Sequence, residues 1–236
     1  MTIIKKREKA VKLVIKIGRY IFDGSFDTEK ISAYVKLFRT LKRDFHKIVV
    51  VTGGGEYSRN YIRAARKLGG SEFICDVLGI GVSHLNALLF IAGLREDAYP
   101  EPPSTLEELR KAFEGGKIVV MGGLQPGQST NAVAALAAEA IGANLLINAT
   151  NIDGVYSADP KLDSKAQKLK VITTDKLLKM VLDGTLLAGR YELFDPIAIK
   201  IVGRSKIPAR IIDGRKPDNI IRVIKGEDIG TLIQPS

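Results

Sequence analysis

Lys47-Ile48-Val49-Val50-Val51-Thr52-Gly53-Gly54-Gly55 is a short apolar run that stops at three glycines. β-Branched side chains favour extended backbone, and an unbroken apolar run of this length marks a strand buried on both faces. The stretch 57–68 that follows predicts a helix. The same pattern recurs on either side. Residues 11–17 alternate apolar and basic side chains and stop at Gly18, a strand reading. Thr28–Asp44 carries Ile31, Val35, Leu37, Phe38 and Leu41 at a helical period. Residues 73–92 read as a further helix, 94–103 with three prolines as a loop, and 105–113 as a short helix. Residues 117–121 predict a strand before Gly122-Gly123 and a Pro126-Gly127 turn. The alanine-rich Thr130–Ile141 is a strong helix former, and 145–148 predicts a fourth core strand. Farther on, Thr174 reads as the N-cap of a helix carrying Leu177, Leu178, Val181 and Leu182, with Gly184 past its end. Asp195-Pro196 supplies a cap and a first-turn proline for another helix. Residues 208–212 predict a strand and 220–224 a helix or helical turn. Strands alternating with helices predict an α/β fold, a mostly parallel sheet covered on both faces.

With 236 residues, 45% of them hydrophobic, the chain is long enough for one large domain or two small lobes around a packed core. No apolar run reaches the length expected of a membrane helix, and no signal-type segment follows the basic N-terminus, so no membrane partner is expected. The single cysteine, Cys75, cannot form an internal disulfide, which fits a reducing, cytoplasmic location. His46 and His84 lie in unrelated contexts and, with one cysteine, make no zinc site; no metal-ligating set is expected. The formal net charge is +10. That surplus suits nucleic acid or a small polyanion equally, but the basic clusters lack the interleaved aromatics of a single-strand stacking surface.

In an open parallel sheet, ligands sit beyond the carboxyl ends of the strands. Three strand exits here are rich in glycine: Ile17-Gly18, Thr52-Gly53-Gly54-Gly55 and Met121-Gly122-Gly123. Glycine lets backbone N–H groups approach a phosphate, and the helices that follow turn their N-termini toward the same place. The triple glycine is neither a Walker A loop nor a dinucleotide fingerprint, because the lysine-serine/threonine and the Gly-x-Gly-x-x-Gly spacing are both missing. Lys16 could place a point charge on a transferring phosphoryl group. Gln125-Pro126-Gly127-Gln128-Ser129-Thr130 offers hydroxyls, amides and N–H groups at a helix start, suited to a phosphate or a base edge. Thr150-Asn151-x-Asp153-Gly154 follows a strand, with Asp159-Pro160 closing its loop. Asp195 and Lys200 add a carboxylate and an amine on one helix.

Together, Lys16-x-Gly18, Gly53 to Gly55 and Thr150-Asn-x-Asp-Gly-Val-Tyr-x-x-Asp-Pro160 resemble the amino acid kinase family. Four further motifs resemble its archaeal-type uridylate kinases: Gly53-Gly-Gly-x-x-x-Arg59-x-Tyr61, Asp76-x-x-Gly79-Ile80, Gly122-Gly-x-x-Pro-Gly-x-x-Thr130 and Asp195-Pro196-x-Ala198-x-Lys200. The resemblance covers about residues 11–235. It implies a three-layer αβα sandwich around a mainly parallel, eight-stranded sheet. Residues 11–148 would form the phosphoryl-acceptor lobe and 149–236 the ATP lobe, after a basic extension over 1–10. The implied reaction moves the γ-phosphoryl of ATP, with Mg²⁺, onto UMP. Lys16 and Lys200 would neutralise the phosphoryl group in flight, with Asp195 organising them. Gly18, Gly55 and Arg59 would contact ATP, and Thr150, Asn151, Tyr156 and Asp159 would form its nucleoside pocket. Gly54, Asp76 and the loop Leu124, Gln125, Pro126, Gly127, Gln128, Ser129 and Thr130 would hold UMP. The resemblance also implies a homohexamer built from dimers, with the apolar helix over 77–91 as a candidate contact.

One departure stands out: Gly18 is followed by the bulky Arg19-Tyr20, where relatives carry Gly-Ser or Gly-Lys. Either Arg19 adds a phosphate contact or the loop takes another path. Other readings stay open on sequence alone. They are another kinase of the family acting on acetylglutamate, carbamate or isopentenyl phosphate, a nucleotide-binding protein without catalysis, and a basic nucleic-acid-binding regulator. The isopentenyl phosphate option is expected to need a histidine near the acceptor, and neither histidine lies in a glycine-rich strand exit of the sequence.

Overall fold

The computed structural model describes residues 11–44, 47–159, 163–183 and 194–236. The basic segment 1–10, His46, Pro160 and Gly184 lie outside the described residues. The first half contains β1 (Lys12–Ile17), α1 (Thr28–Asp44), β2 (Lys47–Thr52), α2 (Gly55–Lys67), α3 (Glu72–Leu94), α4 (Leu106–Glu114), β3 (Val119–Met121) and α5 (Thr130–Ile141). The second contains β4 (Leu145–Thr150), β5 (Val155–Tyr156), β6 (Lys168–Leu169), β7 (Val171–Thr173), α6 (Thr174–Leu182), α7 (Pro196–Ser205), β8 (Ala209–Asp213), α8 (Asp218–Ile224) and β9 (Thr231–Gln234). Short 3₁₀ turns cover Arg19–Ile21 and Arg95–Asp97.

Among the described residues the central sheet has seven strands in the order β3-β2-β1-β4-β8-β9-β7, and β5 and β6 form a separate antiparallel pair. The expected eighth strand of the central sheet is therefore not among them. All pairings in the sheet are parallel except β8 with β9. The predicted three-layer αβα sandwich is present. On one face Leu13, Ile15, Val50, Ile147 and Ile212 pack against Phe38 of α1, Phe90 of α3 and Ile220 of α8. On the other, Val14, Val49, Val51, Leu146 and Ile211 pack against α4, α5, α6 and α7 through side chains such as Leu109, Ala134, Leu177 and Ala198. Burying one such aliphatic side chain contributes about 1.5–3 kcal/mol. A one-residue slip of β1 would turn Lys16 toward the opposite layer, so the register is strongly specified.

Boundaries shift by one or two residues for identifiable reasons. The N-cap of α6 is Thr173, whose hydroxyl accepts from Lys176 N, while Thr174 is already helical; the expectation that Thr174 caps is corrected. Thr174 is buried instead and bonds to Ser236. The membrane expectation is corrected in part as well. The span 72–97 is long enough to cross a membrane, and its most apolar 18-residue stretch, with a mean hydropathy of 1.9, is apolar enough by composition alone. In the fold, one side of α3 buries Cys75, Val82, Ala87, Phe90 and Leu94, and the other exposes Phe73, Val77, Leu85, Leu88 and Leu89.

The β5–β6 pair is fastened to the main sheet by one side chain. Thr231 on β9 is fully buried, and its hydroxyl accepts from Val155 N and donates to Leu169 O. Thr231→Val keeps the shape and removes both bonds, leaving a buried donor without its acceptor. A stability loss of about 1–3 kcal/mol in chemical denaturation is expected; an unchanged midpoint would show that the hydroxyl does not fasten the pair.

Candidate active site

Because β1, β2, β3, β4 and β8 run parallel, their carboxyl ends open on one edge of the sheet. Two backbone bonds draw these exits together. Gly18 N donates to Ala149 O at 2.7 Å, and Gly214 N donates to Thr150 O at 2.7 Å. A cleft of about 280 Å³ lies over the exits, bounded by Lys16, Gly18 and Arg19 from the first. Gly53, Gly54, Gly55, Ser58 and Arg59 line it from the second, Thr130 from the head of α5, and Thr150 and Asn151 from the loop after β4. Of the residues singled out in the sequence, Lys16, Gly18, Gly54, Gly55, Arg59, Thr130, Thr150 and Asn151 thus meet in one place. Alternation along β1 places Lys16 on the face of Val14, the side covered by α5 and α7.

Gly55 has φ +65°, and a Cβ there would lie 2.3 Å from Phe22 O. Only glycine lets the chain turn from β2 into α2 so close to the first loop. Helix α2 therefore starts at the third glycine, two residues before the sequence reading, and Glu56 N donates to Phe22 O at 2.8 Å.

The loop over residues 124–130, the expected acceptor loop, is held from two sides. Asp76 of α3 accepts from Gly127 N at 2.8 Å. Ser129 caps α5, accepting from Ala132 N at 3.0 Å, and its hydroxyl donates to Asp195 Oδ2. Gln128 N closes a turn onto Gln125 O, with Pro126 between them, and Leu124 packs against the core. Gln128 Oε1 is buried with no hydrogen-bond partner among the described residues. Asp195 caps α7 with its other oxygen, which accepts from Ile197 N and Ala198 N at 3.0 Å each.

Asp76, Tyr156, Asp159, Asp195 and Lys200 do not line the 280 Å³ cleft, nor does any residue of 124–129. Lys200 is exposed on the second turn of α7. Tyr156 stands on the β5–β6 pair, where its hydroxyl donates to Asp153 at 2.9 Å, and Asp159 is buried. Burial alone would raise the Asp153 carboxyl, but the Tyr156 hydroxyl and the Lys168 ammonium outweigh it and hold it below the usual range.

Sequence reasoning missed a polar stripe on α3. Ser83 Oγ accepts from Gly123 N at 2.7 Å, His84 Nε2 bonds to Gly123 O at 2.8 Å, and Asn86 Nδ2 donates to Gly53 O at 2.8 Å. His84 thus does reach a glycine-rich exit, contrary to the sequence expectation, and is engaged there with the backbone. The available signal was a Ser-His-x-Asn cluster inside an otherwise apolar helix. The bulky Tyr20 turns under Gly18 rather than over the cleft, while Arg19 lines it.

The model of the amino acid kinase family matches residues 11–213. A uridylate kinase of Hyperthermus butylicus is 47% identical over 225 residues, covering 94% of this chain and 97% of the relative. That of Methanococcoides burtonii is 44% identical, with 93% of each chain covered. The crystal structure of uridylate kinase from Archaeoglobus fulgidus superposes with a TM-score of 0.85 at 39% identity, covering 94% of this chain and all of that one.

Ser129 joins the cap of α5 to the cap of α7, so its removal should be felt in both helices. Ser129→Ala is expected to lower stability by about 0.5–2 kcal/mol, the range for a lost N-cap, and Ser129→Thr to restore most of it. Equal stability of the alanine variant and the parent in urea denaturation would contradict this joint role.

Proposed function

The chain belongs to the amino acid kinase family, and from that premise we infer that it acts as a uridylate kinase, transferring the γ-phosphoryl of ATP to UMP. The observation that carries the reading is the convergence of Lys16, the triple glycine and the Thr150-Asn151 loop on one cleft. Curated relatives of that activity match nearly the whole chain.

An oxygen of the UMP phosphate forms the new bond to the γ-phosphorus, the bond from that phosphorus to the bridging oxygen breaks, and ADP leaves with the electron pair. No covalent enzyme intermediate is required, because phosphoryl transfer rests on positioning and charge. Lys16 and the backbone N–H of Gly55 stabilise the phosphates, Gly18 leaves room for their approach while its own N–H stays on Ala149 O, and Arg59 stands on the ATP side. Lys200 supplies the second ammonium from α7, on the same side of the sheet as Lys16. Asp195 sets the start of α7 and so the direction of Lys200. Thr150, Asn151, Tyr156 and Asp159 hold the ATP nucleoside. Among the described residues no three carboxylate, histidine or cysteine side chains gather as a metal cage. Mg²⁺ would come with the ATP phosphates and help Lys16 neutralise their charge.

UMP lies against Gly54, Asp76 and residues 124–130. Gln128 Oε1 lacks a donor among the described residues, and a uracil ring N–H is a group of the right kind to satisfy it. The net charge of +10 serves small polyanions, with no nucleic-acid or membrane partner. The exposed apolar side of α3 pairs with a second copy, giving a dimer that assembles into a hexamer in the cytoplasm. The product, UDP, feeds pyrimidine nucleotide synthesis.

Purified protein with Mg·ATP and a panel of UMP, CMP, dTMP, acetylglutamate, carbamate and isopentenyl phosphate tests the acceptor. UMP-dependent ADP release is expected; its absence would sink the reading. Lys16→Ala and Lys200→Ala are each expected to lower kcat by at least about a hundredfold, as for loss of one charge-stabilising group. KM for UMP should move far less, and equal losses in both would contradict charge neutralisation. Leu85→Asp, at a 61% exposed position of α3, is expected to shift the sedimenting mass downward. An unchanged mass would remove α3 from the interface.

A further inference from the structure

Tyr20 is the side chain that the sequence made hard to place beside a phosphate loop. It points away from the 280 Å³ cleft, into the wall of a neighbouring cavity of about 760 Å³. There its hydroxyl meets that of Tyr34 on α1, and the Tyr34 hydroxyl donates to Gly214 O in the loop after β8. The chain has one possible direction. Gly214 O can only accept, so the Tyr34 proton goes there, and Tyr20 must donate its own proton to Tyr34. Tyr34 is 2% exposed, and burial pushes both phenols well above the ordinary tyrosine value, which keeps both protons in place.

The neighbours of this pair are close-packed. A Cβ on Gly18 would lie 3.0 Å from Ala149 O and 3.1 Å from the Tyr20 ring. A Cβ on Gly214 would lie 2.1 Å from the Tyr20 hydroxyl oxygen. The Tyr20 ring therefore supports Gly18 from below while its hydroxyl presses on Gly214. With Gly18 N bonded to Ala149 O, and Gly214 N to Thr150 O, the contacts close into a ring. It runs from Gly18 to Ala149 and Thr150, on to Gly214, through Tyr34 to Tyr20, and back to Gly18.

We propose that Tyr20 and Tyr34 are positioning residues for the donor nucleotide, holding the Gly18 loop against the exits of β4 and β8. This rests on the reading of the site as an ATP-dependent kinase. Neither phenol touches the phosphates. They act through Gly18, Thr150 and Gly214, on the donor side of the cleft, while the acceptor loop is held separately by Asp76, Ser83 and His84. The direction of the chain makes the two phenols unequal. Tyr20→Phe leaves Tyr34 still donating to Gly214 O and keeps the ring beneath Gly18. Tyr34→Phe strips Gly214 O of its donor and leaves the Tyr20 O–H facing no acceptor.

The test measures ADP binding by calorimetry, and KM for ATP and for UMP, on the full-length protein and on Tyr20→Phe, Tyr34→Phe and Gly214→Ala. ADP affinity is expected to fall by about threefold in Tyr20→Phe and by about tenfold in Tyr34→Phe, the range for one lost bond and for a buried group left unpaired. Gly214→Ala should reproduce the larger loss with both phenols present, because its methyl displaces Tyr20. UMP affinity should change less than about twofold throughout. Tyr20→Phe keeps the ring in place, so it reports on the ring of contacts even if Tyr34→Phe does not fold. Unchanged ADP affinity in Tyr20→Phe, equal losses for both nucleotides, or a larger effect from Tyr20→Phe than from Tyr34→Phe would each overturn the proposal. Failure of the parent to phosphorylate UMP would count against the kinase reading alone, since the ADP comparison needs no acceptor.

Discussion

The site depends on backbone hydrogen bonds that continue the sheet past the ends of its strands. Parallel pairing brings five strand exits to one edge, but it does not hold the loops beyond them. Gly18 N to Ala149 O and Gly214 N to Thr150 O do that, tying the exits of β1, β4 and β8 to one another. A buried backbone donor left unpaired costs as much as a lost hydrogen bond, so these loops are fixed as firmly as the strands that lead into them. Lys16, one residue before the end of β1, inherits that rigidity.

The other half of the cleft hangs on α3. By composition this helix could cross a membrane, yet its polar side chains have specific partners in the fold. Asp76 holds Gly127, Ser83 and His84 hold Gly123, and Asn86 holds Gly53. Moving the helix into lipid would strip all four contacts and leave the acceptor loop unsupported. Its other face exposes Phe73, Val77, Leu85, Leu88 and Leu89.

Much of the fold was legible because the core strands are β-branched runs that end in glycine. The strands over 11–17 and 47–52, the helix Thr28–Asp44 and the cap at Asp195 read directly from residue type. The β5–β6 pair, β7 and β9 did not. They are two to four residues long, too short for a period to register, and are specified by distant contacts such as Thr231 with Val155. The site divides the same way. Glycine-rich exits announce themselves, whereas Ser83, His84 and Asn86 matter only because α3 crosses beneath the exits of β2 and β3. Tyr20 looked like an obstruction in the sequence. No pattern in the chain links it to Tyr34 or to Gly214, which is 194 residues away.

The sheet gives no structural boundary between the proposed acceptor and donor halves. β1 pairs with β4 across it, and the sheet continues unbroken to β7. Asp195 caps α7 and accepts from Ser129, the last residue before α5. A single carboxylate therefore sets the relative position of two helix starts, of which that of α5 lines the cleft. Under the proposed reading, with both nucleotides held by parts of one sheet, folding would meet much of the entropy of bringing two phosphates together. On this view Asp195 need not touch a phosphate to matter. Its contribution is the alignment of α5 with α7, and through α7 the placement of Lys200.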